Sequence, residues 1–217
     1  MKLNLSEGKK INDCIYVIYG NYKEAYFWYT TAKENIESAK ILFENCHYSH
    51  SIFFLQQSVE CLVKGVFLET GVNTTPRNIS HAPEKIFIQF YEEVEDDINL
   101  NNCKTIINLL SKRNIKGFED KLRYFTNVIN DATNQYHQYF GTSNHLIAQY
   151  SYVQNVLFCL SKLFEGTQQD TRYPNKQRNQ TILPFDLYNS QIIKERGFSL
   201  IDLINEIANI ITCGITE

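Results

Sequence analysis

Between Tyr22 and Glu69 the apolar residues recur at steps of three and four, twice over, and this rhythm constrains the fold more than any other feature of the chain. In the first stretch Ala25, Trp28, Tyr29, Ala32, Ile36, Ala39 and Leu42 make one stripe, with Lys23, Lys33, Glu34, Glu37 and Lys40 on other faces. In the second, from about Ser49 to Glu69, the stripe is Ile52, Leu55, Val59, Leu62, Val63 and Val66, and Gly71 supplies a stop. A period of 3.6 residues gathers such positions on one side of a helix. The two segments are therefore expected to pair as a helical hairpin.

The same pattern organises much of the rest. Pro83 falls where a first helical turn tolerates it, and EKIFIQFYEEVEDDI continues from there with an acidic end. Further helices are expected near 101–112, 116–138 and 144–165, and a last one over roughly 199–212 with Ser199 as its N-cap. Residues 71–80 and 165–184 are polar and non-periodic, so both are expected as loops, the second long enough to carry function. IYVIYG at 15–20 suits either a short strand or a buried helical turn, with no obvious pairing partner. No repeat or linker divides the chain, which predicts a single all-α domain over 1–217.

Composition narrows the function. A chain of 217 residues, 43% hydrophobic with four prolines, can bury a substantial core. Its formal charge of -3 argues against a globally basic nucleic-acid binder, so any such site must be local. The opening MKLNLSEGKK lacks the apolar centre of a signal peptide, and no run approaches the roughly 18 apolar residues of a membrane span. A cytoplasmic location with no membrane contact is the expectation. Cysteines 14, 46, 61, 103, 159 and 213 are dispersed without a CxxC pair and are read as small apolar thiols rather than as zinc ligands or disulfides. Cys46, His47 and His50 lack a fourth ligand nearby, and the acidic run Glu92, Glu93, Glu95, Asp96, Asp97 has the look of a solvated helix end. No metal and no cofactor is expected.

FLQQSVECLVKG, residues 54–65, sets Gln57, Glu60 and Lys64 three and four residues apart beside the apolar stripe. Their polar ends share one face and can converge on a common space. One reading makes that face the wall of a ligand cleft. The other makes it an orienting surface that packs through buried hydrogen bonds, with Glu60 and Lys64 as an intrahelical pair worth about 0.3 to 0.5 kcal/mol. Downstream, Arg172, Lys176 and Arg178 cluster around Tyr173, the combination of guanidinium and ring that phosphate and base recognition uses. The alternative there is a solvated loop held by one contact from Arg172 to a carboxylate such as Glu60.

Three pieces in order resemble the HEPN domain family of all-helical bundles. They are AKENIESAKILFENCHYSHSIFFLQQSVECLVKGVFLETG, SHAPEKIF, and TRYPN at 171–175, similar to an RYP element before the family's final helix. The resemblance covers about 22–86 and 155–212 and sets 87–154 apart as a helical insertion in an up-and-down bundle. It implies RNA or nucleotide binding in a toxin–antitoxin or phage-defence setting, and a homodimer. The site it suggests is a cleft of Gln57, Glu60, Lys64, Arg172 and Tyr173. Catalytic members carry an Arg and a His with four to six residues between them, and cleave RNA without metal. Here the only close pair is Arg77 and His81, with three residues between them, and no His follows Arg172 or Arg178. The expectation is a binder that does not cleave. A ribonuclease with a rearranged site, using His81 as base with Arg77 or Arg172 as the cation, is the alternative, and a module partnering a nucleotidyltransferase is a third.

Overall fold

The structure is a computed structural model that describes residues 9–11, 15–17, 22–69, 83–93, 98–143, 145–177 and 180–213. Helices α1 (Tyr22–Glu44) and α2 (Tyr48–Glu69) form the expected hairpin. The buried side of α1 is Ala25, Tyr29, Ala32, Ile36, Ala39 and Phe43, alternating steps of four and three. Its three alanines leave room for α2 to come close. At Gly65 of α2 an added Cβ would sit 2.2 Å from Cε1 of Tyr29, so the ring rests on bare backbone. The turn closes through Cys46, which adopts φ 62°, while the His47 amide donates to the Leu42 carbonyl at 2.8 Å.

Around this hairpin lie α3 (Pro83–Glu93), α4 (Ile98–Ser111), α5 (Phe118–His137) and α6 (His145–Leu163). Phe67, Phe87 and Phe158 link α2, α3 and α6 by edge-to-face contacts at 5.1 and 5.7 Å. In the α5–α6 hairpin Tyr136 and Tyr152 stack at 4.7 Å. The fold class is all-α, as the hydrophobic periodicity implies.

The structure adds to or departs from expectation in several places. Residues 165–184 are not a bare loop: they hold α7 (Thr167–Asp170) and an antiparallel hairpin of β3 (Asn175–Gln177) with β4 (Gln180–Ile182). A four-residue helix, α8 (Pro184–Leu187), follows. The last helix, α9 (Gln191–Cys213), begins eight residues before Ser199, which sits exposed inside it and caps nothing. Ile192 and Ile193 are buried and extend its apolar stripe backwards, and Gly197 is tolerated mid-helix because Phe43 occupies the space a Cβ would need. At the start of the chain, β2 (Ile15–Val17) is a strand and does have a partner, β1 (Lys9–Ile11), in antiparallel register.

Finally, α2 is long and apolar enough by length and composition to cross a membrane, contrary to the sequence expectation, but 78% of its most apolar window is buried within the protein. It carries the core. Cys61 and Cys159 are buried thiols, pushed up by burial to about 11 and about 12, whereas Cys46 is exposed. No group of three His, Cys, Asp or Glu side chains suited to a metal occurs among the described residues.

Candidate functional site

The polar face of α2 is largely turned inward. Glu60 and Lys64 are 4% and 8% exposed, and the Lys64 ammonium donates to Glu60 Oε1 at 2.6 Å. The same ammonium lies 4.7 Å from the centroid of the Trp28 ring on α1. Taken out of water, the pair has more at stake than a surface pair of the same spacing, because both charges are held in the interior. Beside it, Gln57 Nε2 and Gln56 Oε1 are buried with no hydrogen-bond partner among the described residues. These amides retain unused hydrogen-bonding capacity on an otherwise satisfied helix.

The TRYPN segment comes to α2 from more than a hundred residues away. Thr171 Oγ1 donates to the Thr167 carbonyl at 2.9 Å, and the amides of Arg172 and Tyr173 both donate to Gln169, winding the segment onto the end of α7. Arg172 then extends over the Phe53 ring at 5.3 Å and lies 5.6 Å from the Tyr173 ring. Phe53 is one helical turn before Gln57. The guanidinium is thus seated on aromatic faces, an arrangement that leaves its planar edge to donate. The carboxylate suggested for it, Glu60, is taken up by Lys64. Tyr173 is 58% exposed, a free ring beside a cation. Lys176 lies on β3, while His81, Arg77 and Arg178 fall outside the described residues.

A second polar region went unnoticed in the sequence. The connection 112–117 and the facing parts of α5 and α6 enclose a groove of about 560 Å³. Lys112, Arg113, Lys116, Lys121 and Lys162 line it, with Glu165 the one carboxylate among them. Gly117, at φ 83°, turns the chain from the connection into α5. Lys121 donates to the Glu165 carbonyl at 2.7 Å, and Lys162 pairs with the Glu165 carboxylate. Burial holds the Lys121 ammonium below its usual range, against the opposing pull of Glu165. Close by, Glu84 is buried, and its Oε2 has no hydrogen-bond partner among the described residues. Burial first, and the charge of Glu165 in addition, lift its carboxyl above the usual carboxylate range, although its own backbone amide and Lys162 pull the other way. The signal available in the sequence was SKRNIKG at 111–117, three cations within five residues at a helix break.

Compared with known proteins, the chain matches the sequence model of the HEPN domain over residues 25–141. That span includes the hairpin and most of the segment set apart above as an insertion. Neither curated proteins nor solved structures return a match.

Proposed function

Because the chain belongs to the HEPN domain family, a membership that points to RNA-related or nucleotide-related function, we propose that it binds RNA or a nucleotide on the surface where α7 meets α2. In this reading Arg172 contacts phosphate, Tyr173 stacks on a base, and Gln57 supplies hydrogen bonds at the cleft wall. Glu60 and Lys64 set the shape of that wall. The protein acts in a toxin–antitoxin or phage-defence type system and, lacking the Arg and His spacing of the cleaving members, binds without cutting. A homodimer is part of the same proposal.

The observation that carries it is the seating of Arg172 over Phe53 next to the exposed Tyr173 ring. Both side chains are exposed, so both can be replaced without touching the core. The test is a fluorescence titration of the full chain with a labelled single-stranded RNA and with a labelled nucleotide. Arg172→Ala and Tyr173→Ala should each weaken binding by about tenfold while the thermal midpoint stays put. Unchanged affinity in folded variants would remove this surface from consideration.

A further inference from the structure

We infer that the groove between the 112–117 connection and helices α5 and α6 is a second ligand site, one that takes a compact anion carrying two or more phosphoryl groups. The charge balance is the first reason. Five cations face one carboxylate in a single concavity, in a chain whose overall charge is -3. Like charges crowded this way repel one another, and an anion between them relieves the repulsion.

Size and depth are the second reason. About 560 Å³ lies within the range of small-molecule sites. The cations are graded: Lys112, Arg113 and Lys116 are exposed at the rim, whereas Lys121 is half-buried and Lys162 buried. A phosphate chain entering the groove would meet rim charges first and then ammonium groups already positioned by Glu165.

The third reason separates this ligand from single-stranded nucleic acid. Phe125, the one ring among the lining residues, is 1% exposed and offers no face on which a base could stack. Phosphate chemistry is provided for and base chemistry is not. This inference stands independently of the α2–α7 proposal, since none of those residues lines the groove.

Calorimetric titration of the full chain with sodium tripolyphosphate is the test. Saturable binding that weakens with added salt is expected, and Arg113→Ala and Lys116→Gln, both at exposed positions, should each reduce it by about tenfold. Arg172→Ala should leave it unchanged. Absence of binding, or binding indifferent to both groove substitutions, would overturn the assignment. So would a groove that ignores tripolyphosphate yet loses single-stranded RNA binding on the same substitutions, because it would then be a nucleic-acid track.

Discussion

Lys64 on α2 and Lys116 beside α5 are the same residue type in opposite circumstances. The first is buried, bonded to Glu60 and set against Trp28, so its charge is consumed inside the fold. The second stands at the rim of a groove with four other cations and a single carboxylate, so its charge is directed outward. A polar residue in an apolar helix draws the eye in a sequence, but burial decides whether it serves recognition or architecture. The cations of the groove lie in a region whose sequence signal is the short cluster SKRNIKG at 111–117.

Substitutions can break this contrast at several levels. The largest effect is expected from Lys64→Met, which takes the ammonium away from the buried Glu60 carboxylate and should cost about 3 to 5 kcal/mol in urea unfolding. A midpoint that scarcely moves would mean that the pair is not integral to the hairpin. Leu62→Ala, at a position with 0% exposure, should cost about 2 to 5 kcal/mol, with the spread set by how far the site can collapse.

Glu84→Gln tests the border between core and groove. The folded state holds the Glu84 proton more tightly than the unfolded chain, whose reference value is 4.5, so ionising the carboxyl as pH rises through the raised value costs stability. The substitution should therefore stabilise the protein at neutral pH, and its advantage should fade as pH falls towards 4.5. An advantage that persisted in acid would point to packing rather than charge. The smallest effect belongs to Arg113→Ala, expected to change stability by no more than about 0.5 kcal/mol, because its side chain is exposed. A large loss there would mean that the groove cations hold the fold together.

The helices were legible because their signal is local. Steps of three and four placed α1, α2, α5 and α6 to within a few residues, since each stripe reports its own burial. Ser199 misled because cap preference and glycine avoidance are also local rules. At Gly197 a distant ring, Phe43, overrides them by filling the missing Cβ. The polar segment 165–184 concealed a hairpin whose three-residue strands are too short to show alternation. The candidate sites were legible in unequal measure. Gln57, Glu60, Lys64, Arg172 and Tyr173 could be named from motif and composition, but not that Lys64 would neutralise Glu60 or that Arg172 would settle on Phe53. The groove depends on Lys121 reaching the Glu165 carbonyl across 44 positions, and no window of sequence contains both ends.

The seat of Tyr29 on Gly65 limits how the first two helices can rearrange. Sliding one along the other by a turn, about 5.4 Å, would carry the ring to the level of Cys61 or Glu69, where side chains stand in its way. Axial travel is locked, and the pair can change its relationship only by swivelling or parting. A rearrangement of this hairpin is therefore expected as rotation or separation of the two helices rather than as a slide.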